Sequence, residues 1–141
     1  VEYEYADGTR MFSYCRHIPG CWSSVSEHVQ GTKGRSDINR GQIAVNGEPS
    51  WRYRGEKNNP YQTEHDDLFA AIRAGNPYNE AENGAYSSLT AIMGRMATYS
   101  GKMVEWDAAL NSQIDLSPAE YSFDGTPPEP KGAGRGQTET V

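Results

Sequence analysis

The first half of the chain alternates apolar and polar residues with the period of two that half-buried β-strands show. The alternation is present in residues 1–5 and again in residues 9–17, and Asp7-Gly8 between them is a hairpin turn signal. Further strand signals are separated by turns rich in Gly and Asn, of which Asn46-Gly47 is the strongest. These signals lie in residues 23–30, near residue 38, and in residues 43–45 and 51–53. The pattern predicts an antiparallel meander of about six strands joined by short turns.

The apolar period changes to 3.6 residues after Asn59, which predicts a first helix. Pro60 suits the first helical position, Gln62 completes a capping box with Asn59, and Gly75 ends the pattern. One face of this helix is apolar and carries Leu68, Phe69 and Ile72. We expect that face to pack against the sheet.

A second, longer helix is predicted from just after Asn79 to Gly101, which is a natural C-cap. At its start, Asn79 can accept a hydrogen bond from the backbone N–H of Glu82, whose side chain can reach back in a capping box. The apolar stripe of the helix consists of Ala85, Leu89, Ile92, Met93, Met96 and Ala97. Gly84 and Gly94 allow a neighbour to approach closely, and that packing must offset roughly 1 kcal/mol of helix propensity per glycine.

Structure signals weaken after the second helix. Met103-Val104 is predicted as a short edge strand, and residues 106–111 as a turn or two of helix. From residue 117 onward prolines are frequent and apolar residues are few, so we expect an extended tail. Tyr121 and Phe123 are expected to anchor the first part of that tail.

Together these patterns predict an α+β fold class. We expect an open, mainly antiparallel sheet of about six strands, two main helices packed on one face, and an irregular C-terminal tail. A length of 141 residues suits one domain with its own core. We assign residues 1–128 to that domain and residues 129–141 to a flexible tail.

The charge balance argues against binding to nucleic acid. The formal net charge is -6, and the 13 Lys and Arg residues are scattered, whereas phosphate contacts need clustered basic side chains. No apolar run has the length of a membrane span, and no signal-peptide pattern is present. We therefore expect neither a nucleic-acid partner nor a membrane partner, and we take the cytoplasm as the default compartment.

The chain begins inside a strand pattern at Val1, with neither an initiator methionine nor a leader before it. A natural protein seldom starts in this way, so we expect the sequence to be cut from a longer polypeptide. Any targeting leader would then lie upstream of Val1.

Three stretches of the chain carry a family resemblance. They are GTKG at 31–34, EHDDLFAAIRAGNPYNEAENGAYSSLTAIMGRMATYSGK at 64–102, and WDAALNS at 106–112. These stretches resemble the C-terminal domain of the Gfo/Idh/MocA oxidoreductase family. They are most similar to a bacterial branch whose members carry an AIMGRMATYSGK-like segment, and the resemblance covers most of residues 1–128.

The resemblance implies a parent enzyme whose N-terminal Rossmann domain binds NAD or NADP. The second domain of such an enzyme helps to form the substrate cleft and the subunit contacts. We therefore expect this chain to be the substrate-side and subunit-contact domain of an NAD(P)-dependent sugar- or polyol-type dehydrogenase, inactive in isolation. Two alternatives stay open: the equivalent domain of an NAD-dependent glycoside hydrolase, and a non-catalytic self-associating assembly module.

We assign no cofactor-binding residue to this chain. A dinucleotide site needs G-x-G-x-x-G between a strand and a helix, so that backbone N–H groups can approach the pyrophosphate. The nearest match, Gly132, Gly134 and Gly136, lies in a Pro-rich tail with no strand before it. Glu56-Lys57-Asn58 departs at its third residue from the Glu-Lys-Pro motif of the family, which belongs to the N-terminal domain. That domain is the expected partner that holds NAD or NADP.

No residue receives a catalytic assignment. Many members of the family use an Asp-x-x-x-His pair as acid and base, and the pair is expected upstream of Val1. The positions four residues before the three histidines hold Ser13, Ser24 and Tyr61. His28 and His65 lie among charged neighbours and are interpreted as structural or surface residues.

The end of the second strand is the candidate for contact with substrate. Arg16, His17 and Trp22 flank a Pro19-Gly20 turn, and loop residues on a rigid sheet often face ligands. The alternative interpretation is that Arg16 and His17 are solvated strand-end residues while Trp22 packs on the sheet.

Cys15 and Cys21 lie on either side of His17. A zinc site needs four ligands, and no second Cys or His pair stands at a matching distance, so no metal ligand is assigned. A disulfide across the intervening turn fits the spacing. Two lone cysteines are more simply explained as reduced thiols.

Aromatic residues are frequent on the predicted strands: Tyr3, Tyr5, Tyr14, Trp22, Trp51 and Tyr53. They suit either a platform for sugar rings or a sheet face that is buried between subunits. Two helices cover only one face of a sheet. We therefore expect a homo-oligomer formed through the free face, or a free face that the N-terminal domain covers.

Overall fold

The structure is a computed structural model that describes residues 1–76 and 78–128. These residues have the predicted α+β class, with six antiparallel strands and three helices, two of them long. The elements are β1 (Glu2–Glu4), β2 (Arg10–Phe12), β3 (His28–Gly31), β4 (Gly34–Asp37), β5 (Gln42–Val45), β6 (Trp51–Arg52), α1 (Pro60–Arg73), α2 (Ala81–Ser100) and α3 (Trp106–Leu110). The strands form two antiparallel sheets, β1–β2 and β3–β4–β5–β6, where the sequence predicted a single open sheet.

The chain divides into two compact units. One consists of Val1–Arg16 and the described part of Asn79–Val141, and the other of His17–Tyr78. The first unit holds β1, β2, α2 and α3, and the second holds the four-stranded sheet and α1. Met103-Val104, predicted as an edge strand, has no strand pairing among the described residues. The flexible tail predicted for residues 129–141 lies outside the described part of the chain.

The β1–β2 hairpin closes over Asp7-Gly8 as its turn signal predicts. The N–H of Gly8 donates to the carbonyl of Tyr5 at 2.9 Å, and the N–H of Tyr5 donates to the carbonyl of Thr9 at 2.9 Å. Gly8 has a φ of 82°, a conformation that glycine adopts without strain. Strand β2 is shorter than predicted because the register pairs Glu2 with Phe12, so later residues have no opposing residue on β1.

Helix α2 ends as predicted and begins slightly differently. Gly101 has a φ of 68°, and its N–H donates to the carbonyl of Ala97 at 2.8 Å, which closes the last turn. At the start, Asn79 Oδ1 accepts from the N–H of Ala81 at 3.0 Å instead of from Glu82. The predicted capping box is therefore wrong, because Asn79 lies one residue too early to bond the third helical N–H.

In the first unit, the side chain of Tyr3 joins β1 to α2. The hydroxyl of Tyr3 donates to the carbonyl of Thr90 at 2.9 Å and lies against Gly94, which is buried. Any side chain at position 94 would collide with that hydroxyl, so the contact requires glycine. Helix α3 adds an edge-on contact between the rings of Trp106 and Tyr86, whose centroids are 5.5 Å apart.

The apolar core of the described residues is small. Met93 and Ala109 are its buried apolar residues, with 9% and 5% of their surface exposed. Many larger side chains face solvent, including Trp22, Trp51 and Phe69. A chain of this length ordinarily buries well over half of the surface that its unfolded form exposes. The exposed apolar faces are therefore the surfaces most in need of a partner.

The sheet of the second unit follows the turns that the sequence predicts. Strands β3 and β4 pair with Gly31 opposite Gly34, which leaves Thr32-Lys33 as a two-residue turn. Strands β4 and β5 are joined by a turn in which Gly41 has a φ of 58°. Strands β5 and β6 are joined through Asn46-Gly47. Local turn chemistry thus determines the order of these four strands.

Helix α1 begins as predicted but does not pack on the sheet. Asn59 Oδ1 accepts from the N–H of Tyr61 at 3.1 Å, and Pro60 occupies the first turn. The side chain of Gln62 donates to Asp66 at 2.8 Å instead of completing a capping box. Within the described part of the second unit, no Cα of α1 lies within 8 Å of a strand Cα. Within this unit, α1 therefore does not lie on the sheet face as expected, since periodicity identifies an apolar face but not its partner.

The contact between Tyr3 and Gly94 predicts opposite effects for two alanine substitutions in α2. Gly84→Ala adds a methyl group in open space and should raise the free energy of unfolding by about 0.5–1 kcal/mol through helix propensity. Gly94→Ala displaces the Tyr3 hydroxyl and should lower the free energy of unfolding by about 1–3 kcal/mol, as overpacking does. Urea denaturation of both variants measures the difference.

A Tyr3→Phe background separates the collision from other effects of alanine. The added methyl carbon at position 94 would lie 3.5 Å from Cζ of residue 3, an ordinary contact, so removal of the hydroxyl should abolish the penalty of Gly94→Ala. A penalty of equal size in both backgrounds would contradict the assigned contact.

Candidate functional site

The two faces of the four-stranded sheet differ in chemistry. Opposed residues in an antiparallel ladder point to the same side, and successive residues point to opposite sides. One side, named here the apolar face, carries Val29, Gly31, Gly34, Ser36, Ile43, Val45 and Trp51. The other side, the polar face, carries His28, Gln30, Arg35, Asp37, Gln42, Ala44 and Arg52. Sheets with this alternation ordinarily bury the apolar side.

The apolar face is open in the described part of the second unit. Val29 and Trp51 each expose 55% of their surface, and Ile43 exposes 43%. The ring of Tyr53 lies 6.4 Å from that of Trp51, which extends the apolar surface past the end of β6. A contiguous exposed surface of this kind is typical of a contact with another protein surface.

The polar face is organised around Asp37 at the end of β4. Its carboxylate accepts the backbone N–H of Arg40 at 3.1 Å and lies 3.4 Å from Arg40 Nε. The ring nitrogen Nδ1 of His28 lies 4.0 Å from the same carboxylate. Asn39 also ties the segment before β3 to this turn, because its Oδ1 accepts the N–H of Glu27 at 2.7 Å. These contacts hold the turn together on a solvated surface, which agrees with the surface role predicted for His28.

The three candidate substrate residues lie on the exposed segment between β2 and β3. Arg16 ends the first stretch of one unit, whereas His17 and Trp22 belong to the other. All three are exposed, and Trp22 exposes 76% of its surface, too much for a residue packed on a sheet. The predicted turn forms at Gly20, which has a φ of 77°. The segment therefore carries an exposed guanidinium, an exposed imidazole and an exposed indole.

The two cysteines are free thiols, Cys15 exposed and Cys21 half-buried. Within residues 1–76 and 78–128, no group of three or more His, Cys, Asp or Glu side chains is arranged to hold a metal ion.

A groove of about 1110 Å³ runs along β1 and the C-terminal half of α2 in the first unit. Its polar lining includes Thr90, Thr98 and Lys102. Its apolar and aromatic lining includes Val1, Tyr3, Tyr5, Met93, Met103 and Trp106. The sequence did not indicate this groove, because its walls are about 90 residues apart in the chain and only the β1–α2 contact brings them together. The small residues of α2 were the available signal that something packs closely there.

Tyr3 is the titratable group that this packing perturbs. Burial raises the pKa of its hydroxyl above the ordinary value for tyrosine, and the neighbouring Tyr5 raises it further. A hydrogen bond with the backbone of Gly94 acts in the opposite direction on the same pKa. The neutral, hydrogen-bonded form of Tyr3 is therefore the form that holds β1 on α2.

No helix in the described part of the chain combines the length and the apolar character needed to cross a lipid bilayer. The chain matches no protein-family model, no curated protein and no solved structure.

The raised pKa of Tyr3 predicts that stability falls in alkaline solution. Because the folded-state pKa lies above the unfolded value of about 10, its stabilising contribution is complete below pH 10 and is lost as pH rises through the folded pKa. Tyr3→Phe should flatten that alkaline loss. Below pH 10 the same variant should be less stable by about 0.5–1.5 kcal/mol, because the hydrogen bond to Thr90 is missing.

Tyr14→Phe is the matched control for the alkaline experiment, because Tyr14 exposes 89% of its surface. Urea denaturation across the alkaline range should give the same pH slope for this variant as for the wild-type chain. Equal slopes for Tyr3→Phe and Tyr14→Phe would rule out the assigned role of Tyr3.

Proposed function

We propose that this chain is the substrate-side and subunit-contact domain of an NAD(P)-dependent sugar- or polyol-type dehydrogenase of the Gfo/Idh/MocA kind. The proposal begins from the three stretches whose sequence resembles that family. The GTKG stretch contains the β3–β4 turn, and the other two stretches contain most of α1, all of α2 and all of α3. The residues that resemble the family thus form the β3–β4 turn and the helices. These elements carry no assigned catalytic residue, so the resemblance concerns the scaffold of the domain.

The open apolar face is the observation that carries the subunit-contact part of the proposal. At the end nearest the β3–β4 turn, Gly31 and Gly34 leave the β3–β4 side of this face low, whereas Val45 makes the β5–β6 side high. Val29, Ile43 and Trp51 lie in one row across the other end. When two copies meet face to face with their strand orders reversed, the high side of each lies over the low side of the other. The face is therefore complementary to itself under two-fold rotation, which is the requirement for an isologous dimer. The partner proposed for this face is a second copy of the chain.

The substrate part of the proposal rests on the segment that bears Arg16, His17 and Trp22. Within the second unit, the indole ring of Trp22 can stack on the apolar side of a sugar ring, and the imidazole of His17 can bond a hydroxyl group. No G-x-G-x-x-G occurs in the chain, so NAD or NADP would be held by a Rossmann domain that completes the enzyme. That domain would also supply the acid and base, since no such pair is assigned in this chain.

A lysine on the apolar face should prevent self-association. Val29→Lys places an ammonium group in the proposed interface, and we expect it to shift the chain from dimer to monomer in light scattering coupled to size-exclusion chromatography. Gln30→Lys is the matched control, because Gln30 is the next residue on β3 and points to the polar face. It adds the same charge and should leave the dimer intact.

Two outcomes would count against the interface. A wild-type chain that is monomeric at high concentration would refute the proposed subunit contact. Equal loss of the dimer in both lysine variants would show that added charge, and not its position on the apolar face, is responsible.

The second candidate function is a non-catalytic assembly module, which the same apolar face favours because self-association needs no substrate site. The two candidates differ in what the segment around Trp22 does. An enzyme domain should bind a sugar or polyol there, and an assembly module should not. An NAD-dependent glycoside hydrolase domain would bind sugar as well, and differs in that the completed enzyme would release no reduced nicotinamide.

A ligand titration separates these candidates. We expect amide resonances of residues 16–22 to shift when a panel of monosaccharides, inositols and linear polyols is added, with Kd near the millimolar range typical of weak contacts, about 4 kcal/mol. Trp22→Ala should abolish the shifts. Trp51→Ala removes an exposed tryptophan from the apolar face and should leave them unchanged.

The same samples test the cofactor assignment by calorimetric titration with NAD and NADP. We expect no binding heat for the chain alone, because it has no nucleotide loop. Tight NAD binding would contradict the proposal that a separate Rossmann domain holds the cofactor. A dimer that responds to no member of the panel would favour the assembly module over the dehydrogenase domain.

A further inference from the structure

We propose that Asn46 is a site of spontaneous chemical modification, at which the backbone nitrogen of Gly47 converts the side-chain amide into a mixture of aspartate and isoaspartate. The inference is independent of the proposed function. It rests on the turn between β5 and β6 and on a second Asn-Gly pair in the same chain that is held in a different way.

The turn presents both reacting groups to water. The N–H of Glu48 donates to the carbonyl of Val45 at 3.2 Å, so Asn46 and Gly47 are the two central residues of a β-turn. Both are exposed, and Gly47 has a φ of 82°. Within the part of the chain that the structure describes, neither the side-chain amide of Asn46 nor the N–H of Gly47 has a hydrogen-bond partner.

The reaction needs only the chain and water. The nitrogen of Gly47 attacks Cγ of Asn46, a new C–N bond closes a five-membered succinimide, and the side-chain nitrogen leaves as ammonia with the proton that the attacking N–H gives up. One water molecule then opens the ring at either carbonyl, which yields aspartate or isoaspartate. Glycine favours the first step because it has no side chain to crowd the attacking nitrogen and because its backbone moves freely.

Asn83-Gly84 has the same sequence chemistry but the opposite environment. It lies in the first turns of α2, where the N–H of Gly84 donates to the carbonyl of Glu80 at 2.8 Å. The side-chain amide of Asn83 donates to the carboxylate of Glu80 at 2.6 Å. Both groups are engaged, and the helical backbone must open before the nitrogen can reach the amide. The fold therefore leaves Asn46-Gly47 free to react and protects Asn83-Gly84, although the two dipeptides have the same sequence.

The product changes the sheet next to the apolar face. Either acid adds one negative charge to a chain whose formal net charge is -6. Isoaspartate also inserts a methylene group into the backbone between β5 and β6, whose pairing consists of Gln42 with Arg52 and Ile43 with Trp51. A ladder of two residue pairs has little pairing energy to resist that change. We expect β6 to loosen in the isoaspartate form.

The test incubates the full chain at mildly alkaline pH and physiological temperature, followed by trypsin digestion and mass spectrometry. Cleavage at arginine places the two Asn-Gly pairs in separate peptides, residues 41–52 and residues 74–95. We expect the first peptide to deamidate roughly tenfold faster, the factor that an opening free energy of about 1.4 kcal/mol for the first turn of α2 gives. Isoaspartate is identified by methyl transfer from S-adenosylmethionine with an isoaspartyl methyltransferase.

Concentrated urea and two variants complete the experiment. In urea the two rates should converge, because the fold no longer protects Asn83. Asn46→Gln should suppress the modification of residues 41–52 and leave that of residues 74–95 unchanged, and Asn83→Gln should do the reverse. If residues 74–95 deamidate as fast as residues 41–52 in the folded wild-type chain, the proposal is overturned.

Discussion

Antiparallel pairing in the four-stranded sheet forces Val29, Ile43 and Trp51 onto one side, and the second unit depends on that constraint. Because residue alternation has a period of two, no local rearrangement can return these side chains to the other side without a slip of the whole register. Burial of an apolar side chain of this size is worth about 1.5–3 kcal/mol. A sheet that leaves several of them in water gains most when another surface covers it.

The first unit is held together by a different contact. A single tyrosine on β1 reaches α2, where its hydroxyl bonds the carbonyl of Thr90 and its ring end lies on Gly94. The glycine lowers helix propensity, yet it is what allows the end of the Tyr3 side chain to lie against the helix. The same contact creates one wall of the groove beside α2 and raises the pKa of Tyr3. The contact between Tyr3 and α2 therefore accounts for one wall of the groove and for the raised pKa of Tyr3.

Sequence reasoning was most accurate where the interactions are local. The turn at Asp7-Gly8, the proline at the start of α1 and the glycine that ends α2 involve residues within one turn of each other, and each was correctly predicted. It was less accurate for the capping box at Asn79, because a shift of one residue changes which N–H the side chain meets. It did not predict two sheets, because alternation reports which residues share a face and not which strands pair.

The candidate site shows the same difference between local interactions, which the sequence predicts, and contacts between distant residues, which it does not. The sequence placed Arg16, His17 and Trp22 around a turn and left open whether Trp22 packs on the sheet, because that is decided by contacts that periodicity does not encode. The apolar face became visible only when the register was known, since the shape difference between its two sides requires Gly31 and Gly34 to lie beside each other across a turn. The contrast between the two Asn-Gly pairs likewise needs the surrounding hydrogen bonds.

By itself, the sequence determined the α+β class, the turns and the amphipathic character of each element, because these follow from the conformational limits of glycine and proline and from apolar periodicity. Only the tertiary structure decided that the strands separate into two sheets, that Tyr3 packs on Gly94, and that α1 does not pack on the strands of its own unit. The physical reason is that periodicity specifies which face of an element avoids water. The surface that covers this face depends on contacts between residues far apart in the chain.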